Sequence, residues 1–348
     1  MEQLAQLLKE HYDNHPGMEI RDAVKFLYQH FMGPGHLISD EAAASARLKE
    51  EWDIVRPDKN APLCEDLGNN LCRLNLNRCK AEHLSTSTFS ILFFLTAQDF
   101  APNPAGLEQA LNLVYALPFP KENIDRYLAD YRAQGCPMVS HSEGFRRAYS
   151  PAYRIVSKHY VNLIPVLCAI EEAQKIHPNL RVAIDGPCAS GKSTLGAALA
   201  AIFRCPLIHM DDFFLRPEQR TPQRLAQPGA NVDYERFYDQ VLSPLLAGEA
   251  ARYCPWQCQQ GSFAPQITVE PGPLTLVEGC YCLRPELRDG FQLRIWAEAC
   301  WQSRRKRLLA RGGEECLARF EQLWIPLEDQ YFQHDQVADC CHIHLDLS

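Results

Sequence analysis

Gly186-Pro-Cys-Ala-Ser-Gly191-Lys192-Ser193 fits the spacing G-x-x-x-x-G-K-[ST], between a short β-branched run and an alanine-rich segment. Glycines at these positions let backbone N–H groups, including those of Ala189 and Ser190, curl around phosphate oxygens. The N-terminus of a following helix adds partial positive charge. Lys192 is then expected to reach the outer phosphates of a nucleotide and the Ser193 hydroxyl to ligate Mg2+, with Thr194 next on the helix.

A phosphate cradle does not say what receives the phosphoryl group. The guanine-reading tetrapeptide Asn-Lys-x-Asp is absent, as is the signature of ABC-type ATPases. Transfer to a small-molecule hydroxyl needs a carboxylate at the carboxyl end of a neighbouring strand, facing the phosphate loop. Asp211 and Asp212, in IHMDDFF, are placed there. Glu278 ends the apolar run TLVE and could hold Mg2+ through water or help position the acceptor. Arg304, Arg305, Arg307 and Arg311 share one amphipathic helix. Asp233 reads as the N-cap of a helix running to about residue 246.

The elements that must position these groups follow from periodicity. From about residue 177, apolar strands at 180–185, 206–210, 273–279 and 291–297 alternate with helical segments, which predicts an α/β domain with a mainly parallel sheet. Residues 1–176 read as a mostly α-helical domain, giving two domains, 1–176 and 177–348. Helices are expected over 20–31, from Ser39 or Asp40 to Trp52, and over 85–100, 104–117 and 120–134. A long helix is expected from Pro151 to about Lys175, kinked at Pro165. Only LCRLNLNRC (71–79) alternates like a strand there.

In order along the chain, IDGPCASGKST, HMDDFF, LVEG and SRRKRLLAR resemble the uridine kinase/phosphoribulokinase group of P-loop kinases. The resemblance covers most of residues 180–348, about half the chain. It implies ATP- and Mg2+-dependent transfer of a γ-phosphoryl group to a hydroxyl of a nucleoside-like acceptor, with Asp211 as catalytic base. Asp212 falls where many members have serine. Phe213 and Phe214 would line the acceptor site. Asp233, beside Tyr234 in ANVDYERF (230–237), would grip the ribose hydroxyls, a task a carboxylate can perform by accepting from both. The resemblance also implies a metal role for Glu278 and lid arginines over the phosphate, Arg307 and Arg311 being the candidates. The family's Arg-Asp pair is here Arg311-Gly312. Tyr234, Tyr253, Trp256 and Phe263 could stack on a base. A vitamin or sugar acceptor stays open, as does an ATP-dependent switch without an acceptor.

Residues 1–176 offer His36, His141, Glu143, Arg146 and Arg154 as site candidates. The domain either shapes the acceptor site or an oligomer, or carries a second activity. Charge argues against nucleic acid: Lys/Arg against Asp/Glu is 18 to 22 before residue 179 and 17 to 21 after it. The N-terminus lacks a signal-peptide pattern and no apolar run suffices for a membrane span. Fifteen scattered cysteines suit a reducing cytoplasm. Cys254/Cys258 and Cys280/Cys282 raise zinc, but no second well-spaced pair or His partner accompanies either.

Overall fold

A computed structural model describes residues 1–35 and 41–348. The chain divides into two compact units, 1–168 and 169–348. The division falls inside the helix Ile164–Ile176, eight residues before the boundary expected from the change in sequence pattern.

In the first unit, the helix Ile20–Met32 is closed at its start by a reciprocal capping box between Glu19 and Asp22. It buries Ala23, Val24, Phe26 and Leu27 in the core. Ser85 caps Thr86–Asp99, Pro104 opens Pro104–Ala110, and Lys121–Ala133 follows. The helix Glu41–Ile54 is present; the expected starts Ser39 and Asp40 lie outside the described residues, as does His36.

Three antiparallel strands interrupt this helical unit: β1 (Cys64–Gly68), β2 (Leu71–Asn75) and β3 (Tyr153–Ser157), in that order. Two expectations are therefore corrected. The segment after Pro151 is a strand because Tyr153–Ser157 pairs residue for residue with Asn75–Leu71, and its β-branched Ile155 and Val156 are buried. Pro165 lies in the first turn of Ile164–Ile176, where a missing N–H costs little, and makes no mid-helix kink. The alternating run 71–79 is a strand only to Asn75, whose side chain caps the helix Leu76–Ala81.

The second unit holds β4 (Leu180–Asp185) and β5 (Leu207–His209). Two small antiparallel ladders follow: β6 (Ala251–Tyr253) with β9 (Ile267–Val269), and β7 (Trp256–Gln257) with β8 (Ser262–Phe263). Then come β10 (Leu274–Glu278), β11 (Leu293–Glu298) and β12 (Ile343–Asp346). The main sheet is five-stranded and parallel, in the order β12-β11-β4-β10-β5. All its carboxyl ends therefore lie along one edge. The unit is an α/β domain, as expected. Its short, half-exposed edge strand β12 escaped the pattern reading. Among the described residues no helix is long and apolar enough to cross a membrane.

Asp22 anchors the first unit. Its fully buried carboxylate accepts from the Glu19 N–H (3.0 Å), the Ser142 N–H (3.0 Å), the Ser142 hydroxyl (2.7 Å) and His141 Nδ1 (3.0 Å). Burial alone would raise its pKa, but the bonds from His141, Glu19 and Ser142 outweigh that and hold it at about 2. A depressed carboxylate stabilises the fold in its ionised form. Its contribution is complete above the ordinary value of 3.8 and is lost as pH falls toward about 2. Asp22→Ala leaves several buried donors without an acceptor and is expected to cost about 3 kcal/mol in urea unfolding at pH 7. The mutant-to-parent difference should shrink below about pH 4.

Candidate active site

In the parallel sheet, Glu278 stands in register with Ile184 on β4 and His209 on β5. The loop leaving β4, the Glu278 carboxylate and the turn Met210–Phe213 after β5 are therefore neighbours at one edge.

The loop from Gly186 to Ser193 has the curled backbone its sequence predicts. Gly186 has φ +146°, and a Cβ there would lie 2.0 Å from the Ala297 carbonyl oxygen, so no larger residue fits. Gly191 (φ +109°) and Ala189 (φ +56°) continue the curl. Lys192 Nζ donates across the loop to the carbonyls of Gly186 (2.7 Å) and Pro187 (2.9 Å). The N–H groups of Lys192 and Ser193 open the helix Lys192–Phe203 and, as in any first turn, have no helical carbonyl to bond. Ser193 and Thr194 are exposed there. The Ser190 hydroxyl is buried without a partner among the described residues. Free amides, an orphaned hydroxyl and a glycine cradle suit the phosphates of a nucleotide; the open Ser193 hydroxyl and the Glu278 carboxylate are oxygen donors suited to Mg2+.

Several side chains hold this loop in shape, and pattern reading missed most of them. The buried Asp185 carboxylate accepts from the N–H groups of Gly186 (2.7 Å) and Leu283 (3.0 Å) and from the Tyr331 hydroxyl (2.8 Å). Glu328 accepts from the Cys188 N–H (2.9 Å), and Arg304 Nε donates to the Cys188 carbonyl (2.8 Å). Arg307 Nη1 donates to the carbonyls of Ala189 (3.1 Å) and Ser190 (2.7 Å), and its Nη2 to that of Leu347 (2.5 Å). The expectation that Arg307 contacts phosphate is thus corrected: both terminal nitrogens are committed to backbone carbonyls. Arg304 likewise grips the loop, while Arg305 is exposed. Arg311 is exposed and has no hydrogen bond or ion pair among the described residues. The helix breaks immediately after it, at Gly312 and Gly313, the latter with φ +69°.

The two aspartates differ. Asp211 makes no hydrogen bond among the described residues and its side chain is open to solvent. The protein atoms around it still desolvate it in part and, with the charge of Glu278, raise its pKa against the pull of Lys192, Arg311 and His209. Asp212 is held by the Tyr253 hydroxyl, and its carbonyl accepts from Arg236 Nη2 (2.7 Å). His209, which sequence reading passed over, bonds Glu278 Oε1 through Nδ1 (2.6 Å), and this contact raises its pKa. Its position two residues before the aspartate pair was the available signal.

The proposed acceptor residues fare unevenly. Phe213 has no exposed surface; it packs edge-on to Phe237 and against Tyr253, so it is a core residue and cannot line an acceptor site. Phe214 is half-buried. Asp233 is the N-cap: Oδ1 accepts from the Arg236 N–H (3.1 Å) and Oδ2 from Gln219 Nε2 (2.7 Å), so both oxygens already have donors. The ring of Tyr234 lies against the guanidiniums of Arg224 (4.5 Å) and Arg284 (4.1 Å), which occupy the surface a base would need. Tyr253 is buried, whereas Phe263, on the small β7–β8 ladder, is 45% exposed. Cys280 and Cys282 are buried core residues.

No protein-family model matches the chain, and no curated protein matches it in sequence. Solved structures do. A possible uridine kinase from Bacillus stearothermophilus is 18% identical, covering 51% of this chain and 97% of that one, with a TM-score of 0.39. The D-glycerate 3-kinase from Cryptococcus neoformans var. grubii serotype A is 15% identical over 48% of this chain and 86% of that one, at 0.38. Deoxyadenosine kinase from M. mycoides is 16% identical over 48% and 91%, at 0.25.

The Gly186 contact yields a direct test. Gly186→Ala drives a methyl into the Ala297 carbonyl at a left-handed φ, and is expected to lower the thermal midpoint of the second unit by several degrees, roughly the effect of 2–3 kcal/mol of strain. ATP binding by calorimetry should be lost in the same variant.

Proposed function

We propose that residues 169–348 form an ATP-dependent kinase that phosphorylates a hydroxyl of a small molecule, a nucleoside-like acceptor being the class to try first. The observation that carries the reading is Asp211: an unpartnered carboxylate of raised pKa, open to solvent, electrostatically coupled to Lys192, Arg311 and Glu278 beside a phosphate-cradling loop. A carboxylate so placed can orient an acceptor hydroxyl and take its proton.

The chain's own groups divide the remaining work. Amides of the loop and Lys192 bind and orient the β- and γ-phosphates, and Arg311 adds a mobile positive charge where negative charge grows in transfer. Glu278, bonded to His209, would with the Ser193 hydroxyl hold Mg2+, whose contribution when bound is to neutralise the phosphate oxygens. Arg304, Arg307 and Glu328 act by fixing the loop backbone. For the acceptor, Phe263 is the open aromatic on the neighbouring ladder and can stack on a planar ring. Asp233 would have to exchange the Gln219 bond to grip a diol.

Asp211→Asn is expected to lower kcat by about 10²-fold or more with ATP affinity retained, and near-normal turnover would remove Asp211 from this role. Because the base works ionised and its pKa is raised, kcat/KM should climb with pH on the acid side, through a midpoint above the ordinary 3.8, and Asp211→Asn should abolish that limb. Acceptor-stimulated ADP release from a panel of nucleosides, sugars, hydroxy acids and vitamins tests the substrate class. Slow hydrolysis indifferent to every compound would instead mark a switch.

A further inference from the structure

The first unit contains a cavity of about 900 Å3 whose lining side chains include Lys25, Arg47, Arg56, Arg146 and Arg154 against, among the described residues, a single carboxylate, Glu51. Arg154 pairs with Glu51 at 2.8 Å. Arg47, Arg56 and Arg146 have no side-chain hydrogen bond or ion pair among the described residues. Among the described residues Lys25 Nζ reaches only the Val139 carbonyl (3.0 Å). Converging cations without counter-charge repel one another. Burial and the charges of Arg73 and Arg146 bring the Lys25 pKa down to about 8.

At the floor of the cavity the nearest anion among the described residues is Asp22, which offsets only part of the charge around Lys25. His141 and Tyr153 line it, and behind them lies Asp22. Asp22 is an ionised acceptor, so His141 Nδ1–H donates to it and His141 Nε2 accepts from the Tyr153 hydroxyl (2.6 Å). His141 is thereby neutral, with a pKa lowered by burial to about 4, and the Asp22 charge is consumed by its own donors. A neighbouring cavity of about 770 Å3 shows the contrast. There the cation Arg73 is met by Glu65 at 2.9 Å, which also bonds His11, and Glu10, Asp58 and Asp66 add negative charge. Among the described lining residues that cavity carries an excess of carboxylates, four against Arg73, whereas the basic cavity carries the opposite excess.

We propose that the basic cavity of residues 1–168 is a second ligand site, separate from the phosphate loop, that binds a small molecule bearing a phosphate or carboxylate group. The volume suits a metabolite. Arginine forks present paired donors matched to an oxyanion, and a bound anion offsets the like charges gathered around the cavity. Tyr153, Gln29 and His141 form a rigid polar floor against which the uncharged part of the ligand can be ordered, the Gln29 amide donating to the Tyr153 hydroxyl at 3.2 Å.

The test uses the full chain carrying Lys192→Ala, so that the phosphate loop does not compete. Inorganic phosphate, ribose 5-phosphate and succinate are titrated separately by calorimetry. At least one is expected to bind with a Kd of about 1 mM or tighter; the phosphate and succinate arms tell which oxyanion is preferred. Arg146→Glu and Arg47→Glu, both exposed and unpartnered, should leave the circular dichroism spectrum and thermal midpoint unchanged yet weaken binding at least about fivefold, the effect of reversing one charge at the site. Failure of all three probes to bind at about 10 mM, or binding that both variants leave within about fivefold, overturns the proposal.

Discussion

The carboxylate of Asp185 is the contact on which the carboxyl edge of the parallel sheet depends. It lies at the end of a central strand with no exposed surface, and it joins three separate pieces of chain: the entry to the phosphate loop at Gly186, the turn after β10 at Leu283, and the helix Ile325–His334 through Tyr331. A buried carboxylate is costly unless its lone pairs are filled. Burial raises its pKa, and Lys192 together with these donors opposes the shift. Because the donors are spread over three elements, satisfying one charge sets the relative position of all three.

Around that anchor the loop is held by contacts to its backbone. Glu328 takes the Cys188 N–H, Arg304 takes its carbonyl, and Arg307 ties Ala189 and Ser190 to the C-terminal segment at Leu347. These arginines spend their donors on carbonyls, while the N–H groups of Lys192 and Ser193 at the start of the following helix have no helical carbonyl to bond. Arg311, like the exposed Arg305, is not spent in this way. It is unpartnered and stands at the Gly312-Gly313 break, where the helix has lost its stiffness. Charge that must follow a reacting group belongs on such a joint, and charge that must fix a loop belongs on the continuous helix before it.

Much of the second unit was legible from pattern. Strand–helix alternation, the glycine spacing and the strand-end carboxylates are local features, and local features survive in sequence order. The reading failed where a side chain's partner is distant in sequence. Asp233 and Tyr234 looked like acceptor contacts until Gln219, Arg224 and Arg284 were seen to occupy them. Phe213 looked like a lining residue until packing enclosed it. In the first half, β3 was read as helix because its pairing partner, β2, is some eighty residues away and no turn connects them.

By itself the sequence determined that a glycine-bearing loop joins a strand to the helix opened by Lys192 and Ser193, and that Asp211 and Glu278 stand at adjacent strand ends. Backbone geometry demands those residue types at that spacing wherever such a loop forms. Tertiary structure alone decided which charges are free. Arg307 and Asp233 are spent on neighbours, Arg311 and Asp211 are not, and Lys25, Arg47, Arg56 and Arg146 gather around one cavity from four separate segments. Whether a charge is satisfied depends on what folding brings within about 4 Å of it, a distance that sequence separation does not encode.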